Sequence, residues 1–546
     1  MADLCRWCKG DCAVPMKVKR RKDDLIDRKR PMENFFSQLL HRDQPNSNLG
    51  AHLTSSDRHN SMTAVEEDTM TDVTDMRGYV ELLEEMGELR RLEGVDLDLE
   101  VGALTERAAE KEGAALLFSN FKEFPAGFRV ISNVFRTCRR TGPAMGIDPE
   151  LKGVDYLNAW RKKLAAYKPV PAQQVEGGPV FENQMVDDQV DLYKFPVPKW
   201  HDLDGGPYIG TGCGVITKDP ETGKINIGTY RVMIQNKNTL SVKMNMGKHG
   251  PLAFERARHA GKPLPIAITF CQGPAIFLAA QMPLPPDVNE FEFAGYLQGA
   301  PVPVARGAAT GLPIPANAEI VVEGELPPMK DQDMPKEGPF GEWPGYFTEE
   351  NVGETPIMNV KRIYYRNDPI ILGAPPLKPP ASYLPIPLGA ATLWEQLEKA
   401  GVPEVKGVWG FVYGGQPGPF TIVSIKQRYA GHSKQALLVA AGARAGAYGG
   451  KFVVVVDDDI DIANPADVIW AIATRCHVRE GLDVVKGVWA SVCEPALPPE
   501  ERSPRGYTSD RVLIDACRPF KWMDQFPPVN AFTSEFKDRI ESKFKI

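Results

Sequence analysis

The spacing of apolar residues changes along this chain, and each change marks a different kind of element. Tyr79, Leu82, Leu83 and Met86 recur at helical spacing, which predicts a helix over 78–86 stopped by Gly87. Apolar runs at 116–118 and 128–131 read as short strands, so a small α/β domain is expected over 76–185. Strand patterns then dominate from 186 to 370, at 214–217, 230–234, 240–244, 266–270 and 319–322, with a Pro/Gly turn at 219–223. An antiparallel barrel or sandwich is the natural expectation there. From 371 to 546 helix and strand alternate again, with helices at 393–399, 433–443 and 468–474 and strands at 420–425 and 451–456. The unbroken valines at 453–456 predict a parallel strand covered on both faces, with Asp457, Asp458 and Asp459 as its polar stop. Patterning weakens after Arg505, and this tail is expected to wrap around a neighbour.

Residues 1–75 are of another character. Cys5, Cys8 and Cys12 lie close together, but zinc would need a fourth ligand that is not nearby. A basic run follows (Lys17, Lys19, Arg20, Arg21, Lys22, Arg28, Lys29, Arg30), then a polar stretch. A disordered extension is expected, or one that is not native, since Met62, Met70 and Met76 precede the first clear helix.

Length and composition narrow the class. A chain of 546 residues, 43% hydrophobic and 25% charged, is a soluble globular protein of two or three domains. A formal net charge of −7 argues against a general nucleic-acid binder. No apolar run approaches the ~18 residues that span a membrane, and no apolar segment follows the early basic residues as in a signal peptide. Nine irregularly spaced cysteines fit reduced thiols, so a cytoplasmic location is expected. The 49 glycines and 48 prolines point to a site built on loops.

Chemistry concentrates between residues 226 and 342. Asn226, His249 and Glu290 offer oxygen and nitrogen donors that suit Mn²⁺ or Mg²⁺ beside a phosphate better than structural zinc. Arg231 carries the planar fork that grips a carboxylate. In one regular strand Asn226 and Arg231 would face opposite sides, so a turn or bulge must intervene for them to share a pocket. Glu337 and Glu342 flank Gly-Pro-Phe-Gly, where Phe340 and Trp343 would give an apolar wall and raise a carboxyl pKa toward that of a general acid. Each residue also suits a plainer role: a surface arginine in an ion pair, a loop histidine, two solvated acids. The Gly-Lys-His-Gly run at 247–250 and the Gly-His-Ser-Lys run at 431–434, which precedes a helix, could each line an anion. There is no P-loop, no dinucleotide fingerprint and no nucleophile elbow.

In order, these pieces resemble the UbiD-like decarboxylases, which use prenylated flavin mononucleotide. The motifs are 226–231 (Asn226, Gly228, Tyr230, Arg231), 290–295 (Glu290 to Gly295), 315–324, 337–342 (Glu337, Glu342), 429–434 (ending in Lys434) and 456–461 followed by Trp470. The similarity runs from about Met76 onward. It implies an N-terminal α/β domain, a central split β-barrel that binds the flavin, and a C-terminal α/β domain that drives assembly of a homodimer or homohexamer. It implies that Asn226, His249 and Glu290 hold Mn²⁺ or Mg²⁺ against the flavin phosphate, Glu290 being preferred over Glu292. Arg231, Glu337 and Glu342 correspond to the family's catalytic network. Ile227, Thr229, Tyr230, Lys248, Gln281, Met282, Pro283 and Lys434 correspond to cofactor contacts, Met282 and Pro283 lying near a potassium ion. A flavin prenyltransferase would supply the cofactor. The implied reaction is the reversible decarboxylation of an aromatic or α,β-unsaturated acid, as free acid or CoA thioester, with residues 373–388 and 409–413 as its pocket wall. An FMN-dependent oxidoreductase on the same barrel, or a non-catalytic subunit of a carboxylase complex, are the alternatives; the intact Arg231, Glu337 and Glu342 argue against the second.

Overall fold

The computed structural model describes residues 73–244, 249–282, 284, 287–347, 353–378, 386–411, 417–491, 493–502 and 507–544. The three early cysteines and the basic run, Lys248, Pro283 and parts of the expected pocket wall (379–385 and 412–413) lie outside the described residues.

The first helix runs Met76–Glu85, with the Asp75 side chain accepting the Gly78 N–H at 2.9 Å and Gly87 (φ +70°) turning the chain away. It packs beside a four-stranded sheet in the order Leu89–Glu93, Ala115–Ser119, Arg129–Ser132, Ile370–Gly373. The last of these comes from the far end of the central region. The N-terminal sheet is therefore closed by a segment some 240 residues downstream of its neighbour, Arg129 pairing with Ile370.

The central sheet is antiparallel, and its main path is Ile225–Gly228, Cys213–Lys218, Leu264–Phe270, Ile320–Leu326, Ile357–Tyr365, Thr239–Lys243, Arg231–Asn236. Successive side chains separate cleanly by face. Val215, Ile266, Ile268 and Val322 enter one buried cluster, while Ile216, Ala267 and Val321 enter the other, as a period of two requires. The two ends of this path are consecutive in sequence. Only Thr229 and Tyr230 separate Gly228 from Arg231, a step that spans at most about 11 Å. The sheet must curl until its two edges nearly meet, which makes a barrel split along the Thr229–Tyr230 step. The break that the sequence requires between Asn226 and Arg231 is thus a seam: Asn226 lies in the strand Ile225–Gly228 rather than on a turn, and Arg231 opens the next strand, Arg231–Asn236.

The C-terminal sheet has the order Val405–Gly410, Phe420–Ile425, Phe452–Asp457, Thr508–Ala516, Leu482–Trp489. Its three inner strands are parallel, and Val453 to Val456 are buried as the sequence predicts. Asp457 ends the strand and pairs with Arg475 at 3.1 Å and Arg518 at 3.2 Å, a polar stop rather than a metal site. The weakly patterned tail is a correction: Thr508–Ala516 is an inner strand. Its pattern was masked by Arg511, which is buried but satisfied by main-chain carbonyls, Gly450 O at 2.9 Å among them. The described cysteines Cys138, Cys213, Cys271, Cys476, Cys493 and Cys517 are free thiols. No helix among the described residues is long and apolar enough to cross a membrane.

Candidate active site

Arg231 opens the strand on one side of the seam, and its guanidinium is committed to two carboxylates. Glu337 takes two prongs, Nη2 to Oε2 at 2.7 Å and Nε to Oε1 at 3.0 Å. Glu342 takes Nη1 at 3.3 Å. The Glu337 side chain is 1% exposed and that of Glu342 20%, so Glu337 is sealed in while Glu342 can be reached from the pocket. Phe340 packs under the guanidinium with its ring centre 5.5 Å from Cζ. Phe340 also lies 4.0 Å, centre to centre, from the ring of Tyr208.

Tyr208 is a site residue that the sequence reading missed. It is fully buried and donates its hydroxyl to Glu337 Oε1 at 2.5 Å. Burial and the Glu337 charge push the phenol well above its ordinary pKa, so it stays a donor. The loop that leads to it presses against the loop bearing the two acids. Gly205 donates its N–H to Pro339 O at 2.8 Å, and a Cβ there would sit 2.2 Å from Gly338 O. Lys243 is a second missed residue. It stands opposite Arg231 in the strand register, and its pKa is lowered by burial and then by the Arg231 charge.

Across the seam, Asn226 Oδ1 lies 3.2 Å from Nδ1 of His249, the first residue of the helix His249–His259. Glu290 opens the helix Glu290–Gln298, which Asn289 caps by accepting the Phe291 N–H at 2.8 Å. Glu290 is 6% exposed, and its carboxyl accepts the Ile227 N–H, one residue from Asn226. Burial pushes it up to about 7. Tyr230 fills the centre of this group. A Cβ at Gly228 would meet its ring at 2.7 Å, and one at Gly250 its hydroxyl at 2.8 Å, so both glycines make room for the phenol. Burial raises the Tyr230 phenol to about 12.

The donor set fits a hard or borderline cation. Two ligands at right angles, each about 2.1 Å from an ion, stand about 3.0 Å apart, close to the 3.2 Å between Asn226 Oδ1 and His249 Nδ1. Burial also lowers the His249 pKa, which favours the neutral, ligating form. A carboxyl that burial holds near neutrality, as at Glu290, is one a bound cation would ionise. Among the described residues no three His, Cys, Asp or Glu side chains converge as a metal cluster, and the set here contains two of those types, His249 and Glu290, with Asn226 as the third donor.

The remaining expected contacts are dispersed. Ile227 is buried and Thr229 half-buried at the seam. Gln281 ends the helix Pro274–Gln281 and Met282 caps it. Lys434 sits in the helix His432–Gly442, where its ammonium pairs with Asp483 of the C-terminal edge strand; no described contact joins it to Asn226, His249 or Glu290. Gly373, Ala374, Pro375 and Leu377 line a small cleft with Phe135, Arg136 and Phe277. A larger cavity of about 470 Å³ lies behind the Tyr208 loop, lined by Leu97, Phe121, Lys199, Gly206 and Pro207 among others, and contains none of the expected site residues.

Comparison with known proteins places the chain in a family. Three family models match in order: the 3-octaprenyl-4-hydroxybenzoate carboxy-lyase N-terminal domain over residues 80–160, its Rift-related domain over 173–379 and its C-terminal domain over 383–516. Among solved structures, the vanillic acid decarboxylase of Sedimentibacter hydroxybenzoicus in open form is 26% identical, with a TM-score of 0.75 over 87% of this chain and 99% of that one. An evolved dimeric form of the UbiD-class enzyme HmfF from Pelotomaculum thermopropionicum, in complex with prFMN, is 28% identical, with a TM-score of 0.69 over 84% and 97%. The apo 3,4-dihydroxybenzoic acid decarboxylase of Enterobacter cloacae is 25% identical, with a TM-score of 0.72 over 86% and 99%.

Proposed function

The chain belongs to the UbiD family of carboxy-lyases, and from that premise we propose that it decarboxylates an aromatic or α,β-unsaturated carboxylic acid without oxidation, using prenylated FMN. The observation that carries this reading is the Arg231 guanidinium shared between a buried, closely held Glu337 and a more exposed Glu342.

Loss of CO₂ from an sp² carbon leaves an electron pair with no place to go, and prenylated FMN, when bound, supplies the electron sink. Arg231 orients the substrate carboxylate through its Nη1 edge, the prong that Glu342 holds only at 3.3 Å. Glu337 and Tyr208 keep the guanidinium in place from behind. Glu342 delivers the proton to the carbon that CO₂ leaves, and in the reverse direction takes it back. Phe340 keeps water from the face of Arg231 it covers, which strengthens the attraction to a carboxylate. Asn226 Oδ1, His249 Nδ1 and Glu290 would hold Mn²⁺ or Mg²⁺, whose positive charge would balance the flavin phosphate.

The vanillic acid and 3,4-dihydroxybenzoic acid decarboxylases among the similar structures favour a phenolic or other aromatic acid as substrate. Assembly into a homodimer or homohexamer is part of the same proposal. It is supported by the apolar side chains exposed on and beside the C-terminal edge strand, Val484, Trp489, Ile469 and Trp470.

The test is co-expression with a flavin prenyltransferase, then the mass and absorbance of the released cofactor and CO₂ release from a panel of aromatic acids. A prenylated flavin and CO₂ are expected. Plain FMN that cycles with a nicotinamide donor, without CO₂, would replace this reading with an oxidoreductase.

A further inference from the structure

Lys243 ends the strand Thr239–Lys243, and the hairpin register sets it directly opposite Arg231, the first residue of the strand Arg231–Asn236. Residues opposite one another in an antiparallel pair send their side chains to the same face, with Cβ atoms about 5 Å apart. The next pair along the hairpin is Val232 and Val242, both fully buried in one apolar cluster, which leaves the other face to Arg231 and Lys243. That face is where Arg231 meets Glu337 and Glu342.

Arg231 alone is a poor trap for a substrate anion. One guanidinium set against two carboxylates leaves the group with a net negative charge, and a third carboxylate would be repelled. Lys243 brings the group to neutrality. Its side chain is half-buried, yet its ammonium makes no hydrogen bond or ion pair with a described residue. An ammonium partly withdrawn from water and left without a partner lacks what an arriving anion supplies. Burial first, and then the Arg231 charge, lower its pKa against the pull of Glu337, Glu342 and Glu354, which agrees with a place in the same charge cluster.

We propose that Lys243 is a substrate-binding residue, whose ammonium holds the substrate carboxylate together with Arg231, so that the acid sits between two cations. This accounts for how a carboxylate binds at an arginine that two acids already engage. The inference rests on the reading of Arg231 as the carboxylate clamp.

The experiment measures binding of 3,4-dihydroxybenzoate and of its neutral carboxamide by titration calorimetry. The proteins are the flavin-loaded natural chain, Lys243→Met and Lys243→Arg. The natural chain should prefer the acid. Lys243→Met should weaken binding of the acid about ten- to a hundredfold, the worth of one charge-assisted contact, and leave the carboxamide unchanged. Lys243→Arg should restore most of the loss. A purely structural role would weaken both ligands by the same factor and overturns the proposal. If Lys243→Met keeps the natural preference for the acid, Arg231 acts alone: the inference falls and the clamp stands. A natural chain without any preference for the acid removes the clamp, and the inference with it. A second measurement needs no ligand. Lys243→Met should raise the Tm of the ligand-free chain, because a half-buried charge without a partner is gone; a lower Tm would show that the lysine serves the fold and overturns the proposal. If Lys243→Met does not fold, Lys243→Gln takes its place in both measurements.

Discussion

Arg231 holds Glu337 more tightly than Glu342: Nη2–Oε2 is 2.7 Å and Nε–Oε1 3.0 Å on the first acid, against 3.3 Å for Nη1–Oε1 on the second. This asymmetry divides the labour between two chemically identical side chains. A carboxylate held by a bidentate guanidinium and a phenol is a poor proton donor, because its proton would displace both partners. The acid on the loose prong can exchange its partner for substrate. Glu342→Gln is therefore expected to cut kcat by about 10²–10⁴ while flavin stays bound. Steady-state CO₂ release and the flavin absorbance of the purified variant check both halves, and full activity would remove Glu342 from the mechanism.

Arg231→Lys keeps the charge but loses the fork. A lysine cannot hold Glu337 with two parallel bonds and still present an edge to the substrate. KM is expected to rise more than about tenfold, with kcat also falling, because the pairing that fixes the geometry is lost along with the clamp. A variant with unchanged KM would mean that the substrate carboxylate binds elsewhere.

Tyr208→Phe isolates the support behind Glu337. The hydroxyl donates at 2.5 Å to a carboxylate whose side chain is 1% exposed, so its removal leaves a buried oxygen short of one partner. The expected cost is about 1–3 kcal/mol in urea unfolding, together with a lower kcat. Equal stability of the two proteins would show that the phenol is not needed to hold Glu337.

Much of this site was legible as chemistry but not as geometry. Arg231, Glu337 and Glu342 stand out because an arginine and two acids in a Pro/Gly segment have few packing roles. The need for a break between Asn226 and Arg231 was legible, but its nature as a seam was not, because only the pairing partners reveal that Ile225–Gly228 and Arg231–Asn236 lie at opposite ends of the sheet path. Tyr208 was missed because nothing in the segment 201–208 distinguishes a buried tyrosine from a surface one. Its role comes from burial and from its bond to Glu337, 129 positions away. The valine run at 453–456 was read correctly because hydrophobicity on both faces is written directly in the sequence. The strand Thr508–Ala516 was lost because buried Arg511 interrupts its pattern.

Glu290 gives a prediction in which pH and metal oppose each other. Without metal, burial raises its carboxyl from the ordinary 4.5 to about 7, so the folded chain holds a proton that the unfolded chain has already released. Stability is then greatest below about 4.5 and falls as pH rises toward 7, because the folded state binds more protons than the unfolded state across that window. Up to about 3 kcal/mol is at stake for a shift of this size. Glu290→Gln should remove that slope and leave the metal-free variant more stable than the natural chain at pH 8, though not at pH 4. Added Mn²⁺ should reverse the order at pH 8, because the cation rewards the ionised carboxylate and finds one ligand fewer in the variant. Unfolding curves at the two pH values, with EDTA and with Mn²⁺, separate these effects. A natural chain whose stability at pH 8 does not respond to Mn²⁺ would remove Asn226, His249 and Glu290 as a metal site.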